Sequence, residues 1–444
     1  MSGKRLEVLL AVTVWFLLLL SNAAADHPKV GLQVSVAAIS GKTMGTQYLV
    51  KFQDRNRSGF LIDSVVLKEK IQKRLAEIND SMSTYREDSE ISQFNRQTHS
   101  EGFRVSSDFR QVVQKSIEIH ALTRGKFDIT VGPLVRFWGF SGGTLPRKMP
   151  TPDAVQSVLN TIGTAKLKCN QQGLQKLTPN LKLDVSAIAK GFAVDEIAAL
   201  VVSETPNFMV EIGGEIFAAG INPSTNRPWT IGIERPAASP GDFTPKVAAR
   251  VELSGHALAT SGDYRNIVVI EGERFQHTID PTTGYPVSNG IRSVSVIAKD
   301  CMTADGLATG LMAHALEAIQ SISQSNDLAV LVLFETTPGK IDSWSSPSFN
   351  AQGRIQDAEN TSAGTKVSSP PNPLYRVLGT IIVFGLAISG MAIGVILSNR
   401  QIKGTCGGLS SMPGNENSDA SPCDLCTKPA SECSQKDNAD TFRE

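Results

Sequence analysis

Asp305 and Thr309 stand one helical turn apart in "TADGLATGLM", a spacing that puts a carboxylate and a hydroxyl on one helix face. Both are hard oxygen donors of the kind that suit Mg2+, although a buried Asp and Thr can equally cap or bridge neighbouring backbone. His277 lies between the strand-like "ERFQ" and the turn-rich "DPTTGYP", where a loop can present an imidazole as a general base or hold it as a structural group. Gly213 and Gly214 in "VEIGGEI" allow backbone N–H groups to approach a phosphate, or simply make a hairpin turn. Near the C-terminus, Cys406, the CxxC pair Cys423 and Cys426, and Cys433 form a thiol set that can chelate a soft metal, work as a redox dithiol or belong to an unstructured tail. One CxxC does not make a common zinc ribbon. Neither GxxxxGK[ST] nor a strand-linked GxGxxG occurs, so nucleotide binding here requires another architecture.

These groups need a scaffold, and the composition provides for one. The 444 residues carry a formal net charge of +0, with 41% hydrophobic and 19% charged residues, which excludes a disordered chain and a nucleic-acid binder acting through bulk charge. Residues 1–25 read as a secretory signal: Lys4 and Arg5, an apolar run ending at Leu20, then Ala23 to Ala25 before Asp26. An uncleaved anchor is the alternative; no cysteine follows the run, so a lipoprotein anchor is not indicated. A second apolar run, residues 377–397, has no charged residue and is long enough to cross a ~30 Å hydrocarbon core, giving an expected membrane helix over 375–398. Arg376 precedes it and Arg400 and Lys403 follow it, a bias that puts the C-terminal side in the cytoplasm. Gly390 and Gly394 within it form a GxxxG, open to close helix packing. The four tail cysteines, in the segment 399–444, then lie in a reducing compartment, whereas Cys169 and Cys301 read as small buried side chains of the exported part.

Between these ends the periodicities alternate. "SGKTMGTQYLVKF" reads as a strand, and "DSVVLKEKIQKRLAEIND" as an amphipathic helix capped by Asp63 or Ser64, with Val66, Leu67, Ile71, Leu75 and Ile78 on its apolar face. Ser107 leads into a second helix that Gly125 stops, a third reads from Asp184, and a fourth covers "TADGLATGLMAHALEAIQ". "NFMVEIGGEIFAAGI", "PWTIGIERP", "KVAARVELSG", "ALATSGDYRNIVVI", "SVSVIAKD" and "DLAVLVLFE" give strands with glycine-bearing turns. Without a regular βαβ rhythm, the expected fold is α+β, with a mixed or antiparallel sheet and packed helices. Residues 343–373, rich in Ser, Pro, Asn and Gly, read as a linker.

In order along the chain, "KTMGT", "MSTYREDSEISQFN", "FDITVGPLVRFWGF", "LDVSAIAKGFAVD", "VEIGGEI", "ATSGDYRN", "HTIDPTTGYPV" and "ADGLATGLM" closely resemble the ApbE family of FAD:protein FMN transferases. The resemblance runs over residues 40–335 and sets the transferase domain at 40–342. It implies an exported Mg2+-dependent enzyme that cleaves FAD and attaches FMN, through its phosphate, to a threonine or serine of a client flavoprotein, releasing AMP. By the same resemblance Met44, Tyr85, Lys126, Phe127, Asp128, Asp184, Lys190 and Ile279 contact FAD. Asp305 and Thr309, with the backbone oxygen of Ala187, hold the metal. His277 is then the candidate base for the client hydroxyl, with Asp280 orienting it or its loop. An exported FAD-binding carrier without transfer is the competing reading.

The apolar run followed by basic residues and "GTCGGL…CDLC…C", residues 374–433, resembles NqrM, a membrane factor needed to mature the Na+-translocating NADH:quinone oxidoreductase. That resemblance implies iron handling by Cys406, Cys423, Cys426 and Cys433, and a client among the flavoprotein subunits of a membrane respiratory complex. The expected location is the inner membrane with a single C-terminal span, the catalytic domain periplasmic and the tail cytoplasmic.

Overall fold

"SGKTMGTQYLVKF", expected as one strand, folds as two. In the computed structural model, which describes residues 35–140, 148–236, 246–263 and 267–353, β1 (Val36–Thr43) and β2 (Thr46–Gln53) pair in register, with Thr43 opposite Thr46. The turn residues Met44 and Gly45 both have positive φ, 48° and 72°, the requirement of the two-residue turn whose twist matches a hairpin. A methionine in that conformation hid the turn from a reading that looks for Asn-Gly or Gly-Gly.

The helix after it, α1 (Ser64–Met82), takes Asp63 as its cap: one carboxylate oxygen accepts from the backbone N–H groups of Val65 and Val66. Leu67, Ile71, Leu75 and Ile78 are buried as expected, but Val66 is exposed. A short α2 (Glu90–Arg96) precedes α3 (Ser107–Leu122), whose cap is Ser106 rather than Ser107. Beyond α3, Gly125 has φ 84° and its N–H returns to His120 O, which ends the helix where expected. Then come α4 (Gly132–Phe137), α5 (Pro152–Leu159) and the small hairpin of β3 (Leu167–Asn170) and β4 (Gly173–Lys176). Helix α6 (Ala189–Val202) begins after Asp184, because residues 185–188 form a turn.

The strands β5 (Phe208–Ile212) and β6 (Glu215–Ala219) form the next hairpin, followed by β7 (Trp229–Arg235) and β8 (Lys246–Leu253). "ALATSGDYRNIVVI" divides into β9 (His256–Gly262) and β10 (Ile267–Ile270), the latter pairing with β11 (Glu273–Gln276). After β12 (Ile291–Ala298) the expected long helix splits into α7 (Cys301–Met312) and α8 (Leu316–Ser325). The split is held by Asn289, whose amide donates to Met312 O and His314 O and so satisfies carbonyls at the end of α7. The chain closes with β13 (Ala329–Thr337), β14 (Lys340–Ser345) and α9 (Pro347–Gly353). The first part of the expected linker, 343–353, is therefore folded: β14 pairs with β13, and Phe349 is fully buried.

Eight strands make one sheet in the order β1-β2-β5-β6-β9-β12-β13-β14, and every neighbouring pair is antiparallel. Both faces are covered, as strand alternation requires. Phe208, Val210, Val294 and Val296 face a large core built with the inner faces of α1, α3, α6 and α7. Met209, Leu258, Ile297 and Leu331 face a second core roofed by the β7–β8 hairpin and Phe349 of α9. A third cluster joins Leu134 and Trp138 to Val155, Ile270 and Ile279, tying α4 and α5 to the β10–β11 hairpin. The α+β expectation with an antiparallel sheet holds for this part of the chain. Among the described residues no helix is long and apolar enough to cross a membrane; the expected signal, the span over 375–398 and the cysteine tail lie outside the described residues.

Candidate active site

The β1–β2 turn, the β5–β6 turn and the C-terminal end of β9 all fall at one end of the sheet, as the antiparallel register dictates. Two hydrogen bonds fix the first turn there: Asn79 of α1 donates to Thr43 Oγ1 at 3.1 Å, and Gly213 N–H donates to Gln47 O at 3.1 Å. Gly214 N–H donates to Glu211 Oε1 at 2.9 Å. The two glycines thus act as a hairpin turn whose N–H groups are engaged within the protein, not as a phosphate cradle.

Two adjoining cavities open at this end, of about 960 Å3 and about 550 Å3. Met44, Asp184, Ser186 and Lys190 belong to the walls of both. The larger runs along α1 to Tyr85, whose ring is exposed. The smaller gathers Lys126, Phe127, Asp128, Ala187, His277, Ile279, Asp305 and Thr309. Of the candidate site residues taken from sequence, Asp280 and Gly214 are absent from these walls, and the tail cysteines lie outside the described residues.

Each of these side chains is placed by a local cause. Beyond the end of α3, Thr123 Oγ1 accepts from Phe127 N–H at 3.0 Å and turns the "KFD" segment inward. Asp128 is buried and its carboxylate is engaged by Thr130 and by Thr164 N–H, so its charge serves the wall rather than the cavity. Lys126 Nζ reaches Asp280 Oδ2 at 2.5 Å and Thr282 Oγ1 at 2.8 Å. Burial would raise the Asp280 pKa, but Lys126 and Thr282 outweigh it and hold the carboxyl below its ordinary value. Asp280 also caps its own loop, accepting from Thr282 N–H, while Trp138 Nε1 donates to Gly284 O at 2.8 Å. Of the two roles expected for Asp280, these bonds favour setting the loop that follows His277.

Helix α7 carries the hard oxygen donors. Its N-terminus is capped twice: Asp300 accepts from Thr303 N–H, and Asp195 of α6 accepts from the N–H groups of Cys301 and Met302 at 2.7 and 2.9 Å. Asp305, buried to 3% exposure, accepts from Gly191 N–H at 3.0 Å, and Thr309 Oγ1 lies 3.1 Å from Ser261 Oγ. Asp305 therefore does bridge backbone, through one oxygen, while also lining the cavity. Gly191 makes the close helix packing possible, since a Cβ there would lie 2.4 Å from Cys301 O and 2.8 Å from Met302 Cα. Gly191→Ala should cost about 3 kcal/mol, the upper end of overpacking penalties, read as a lower denaturation midpoint with unchanged slope.

Lys190 and Glu215 complete this charge group. Lys190 Nζ stands 2.5 Å from Glu215 Oε1. Burial lowers the Lys190 pKa, but the carboxylates of Asp305 and Glu215 more than compensate and raise it. Asp305 is pushed up to about 7, first by burial and then by Glu215 and Asp195, against the opposing pull of Lys190 and Gly191 N–H. A hard cation fits this set. A buried carboxylate beside a hydroxyl is held against its own ionisation first by burial and then by like charges, and Glu215 Oε2 is a buried oxygen without a hydrogen-bond donor among the described residues. Among the described residues no cluster of three or more His, Cys, Asp or Glu is arranged to bind a metal, so such an ion would rest on one carboxylate, a hydroxyl and backbone oxygen.

The elevated values have a signed consequence. Asp305, and Asp195 raised to about 7 mainly by burial, keep protons in the folded chain at a pH where the unfolded chain has lost them. The metal-free protein should therefore lose stability as pH rises from about 4 to about 7. A cation that favours ionised Asp305 should raise the melting temperature more at about pH 8 than at about pH 5, a comparison that differential scanning fluorimetry makes directly.

Glu215, Ser261 and Asp195 were not singled out from sequence. Glu215 had a signal, an acid opening an otherwise apolar strand just after a double glycine; Ser261 and Asp195 had none apart from lying within "ATSGDYRN" and "LDVSAIAKGFAVD".

The fold corresponds to that of solved flavin transferases. The solved flavin transferase ApbE from Vibrio cholerae superposes with a TM-score of 0.66 at 41% identity, covering 72% of this chain and 99% of that one. The Pseudomonas stutzeri flavinyl transferase ApbE, in its apo form, gives a TM-score of 0.65 at 31% identity, covering 73% and 98%. A curated FAD:protein FMN transferase of Vibrio cholerae serotype O1 is 43% identical over 302 residues, 68% of this chain and 88% of that protein. The ApbE family profile matches residues 44–332, and the chain belongs to that family. A second profile, (Na+)-NQR maturation NqrM, matches residues 395–441; it takes in all four tail cysteines and begins near the end of the apolar run.

Proposed function

We propose that this chain transfers FMN from FAD to a threonine or serine hydroxyl of a client flavoprotein in a Mg2+-dependent reaction that releases AMP. One observation carries the reading: buried Asp305 and half-buried Thr309 and His277 line one cavity, which shares the wall of Met44, Asp184 and Lys190 with a second, larger one. Joined, the two have the extent and the mixture of apolar and charged wall suited to a dinucleotide.

In the transfer, the client oxygen bonds to the FMN phosphorus as the bond from that phosphorus to the AMP oxygen breaks. His277 takes the hydroxyl proton, which a neutral imidazole can accept and an alcohol otherwise retains. Lys190, at the wall common to both cavities, supplies positive charge toward the pyrophosphate. Asp305, Thr309 and the backbone oxygen of Ala187 would hold Mg2+, which supplies stabilisation of the charge growing on the phosphoryl oxygens and on departing AMP. Lys126, Phe127 and Ile279 form the inner wall, Tyr85 the outer reach of the larger cavity.

The client, on this reading, is a flavoprotein subunit of the Na+-translocating NADH:quinone oxidoreductase or a related redox pump; the NqrM match supports that choice. On the resemblance to NqrM, Cys406, Cys423, Cys426 and Cys433 handle iron for the same complex. Residues 1–25 direct export, residues 375–398 span the inner membrane once, and the transferase domain lies in the periplasm with the thiols in the cytoplasm. Mg2+-dependent AMP release from FAD in the presence of a client peptide tests the activity. If FAD is instead bound and returned intact, the chain is a carrier.

A further inference from the structure

Lys190 sits beside two carboxylates that make opposite demands on it. Glu215 Oε1 holds the ammonium at 2.5 Å, while Asp305, whose Oδ2 bonds to the N–H of the very next residue, Gly191, attracts the same charge. Were Lys190 to swing onto Asp305, the ammonium would neutralise the carboxylate on which a hard cation depends. An ammonium so placed also opposes that cation directly, by like-charge repulsion.

Glu215 is built to prevent this. It opens β6 immediately after the Gly213–Gly214 turn, which fixes its backbone, and its side chain is only 4% exposed. Among the described residues its Oε2 is buried with no hydrogen-bond partner, so there the acid bridges no other element; the partner it has is Lys190. An ammonium carries three donors, and Glu215 Oε1 takes one, which leaves Lys190 able to meet an anion at the shared wall.

We infer that Glu215 is a positioning residue: by taking the Lys190 ammonium, it keeps that charge at the wall shared by the two cavities and off Asp305, leaving the Asp305 carboxylate for a divalent cation. The inference rests on the proposed Mg2+ requirement, and its test separates the two. Mg2+ alone is titrated by calorimetry into the full chain without FAD, for wild type, Glu215→Gln, Lys190→Met and the double variant; Glu215→Asp, which keeps the charge, guards against a merely misfolded amide. Melting curves establish that each variant is folded.

Glu215→Gln should weaken Mg2+ binding about tenfold, Glu215→Asp should recover most of it, and in the Lys190→Met background Glu215→Gln should have no effect, because no ammonium remains to be held away. Unchanged Mg2+ affinity in Glu215→Gln overturns the inference. So does an equal loss with and without Lys190, which would make Glu215 act on the cation itself. Absence of Mg2+ binding by the wild type overturns the inference together with the Mg2+ requirement, an outcome distinct from both.

Discussion

Asp305→Asn is expected to reduce FMN transfer on the order of 10³-fold or more while leaving the protein folded. The size follows from the proposed metal role: loss of a cation that stabilises phosphoryl-transfer charge removes several kcal/mol of transition-state stabilisation, and each 1.36 kcal/mol is a factor of ten. The fold should tolerate the change because the amide oxygen can still accept from Gly191 N–H, the backbone bond that Asp305 makes. Burial and neighbouring carboxylates oppose the ionised form of Asp305, so a neutral amide should stabilise the metal-free protein at about pH 8. Activity and stability thus move in opposite directions. AMP release measured with saturating Mg2+, beside a melting curve, reads both; a merely structural aspartate would lose both together.

His277→Ala should lower kcat by 10²–10⁴, the usual contribution of a positioned general base, with little change in FAD binding. The imidazole lies on the cavity wall just past β11, half-buried, while the neighbouring loop is fixed by other groups: Asp280 by Lys126 and Thr282, and Gly284 O by Trp138. Removing the ring therefore should not release the loop. Pre-steady-state AMP release at saturating FAD isolates the transfer step and should show the loss there. A normal kcat in the variant would assign the proton to another group.

Much of this site is legible in the sequence. The Asp305 and Thr309 pair was visible because helical spacing is a local property, and α7 does run through both. Helix α1 was legible for the same reason, its apolar stripe being continuous from Leu67 to Ile78. What escaped depends on contacts between distant segments. Glu215 gains its meaning from Lys190 across the sheet end, and Asp195 from the first N–H groups of a helix more than a hundred residues on. The Met44–Gly45 turn escaped because the left-handed conformation falls on a residue that seldom adopts it, stabilised by the strands on either side and by Asn79 below. Strand β14 and helix α9 escaped because their Ser and Pro content resembles a linker; Trp344 and Phe349 were the apolar residues out of keeping with that reading. The resemblance carried by eight short motifs joins residues of both cavities, whereas composition and spacing alone leave His277 and Asp305 as isolated candidates.

The central claim is that the two cavities hold one FAD and deliver its FMN half to a client hydroxyl. Intact-mass analysis of a client flavoprotein subunit, after incubation with the full chain, FAD and Mg2+, measures this directly. The account predicts FMN esterified to a single threonine or serine, one AMP released for each FMN attached, and neither product with Asp305→Asn. An unmodified client beside intact FAD, or FMN attached equally well by Asp305→Asn, would contradict it.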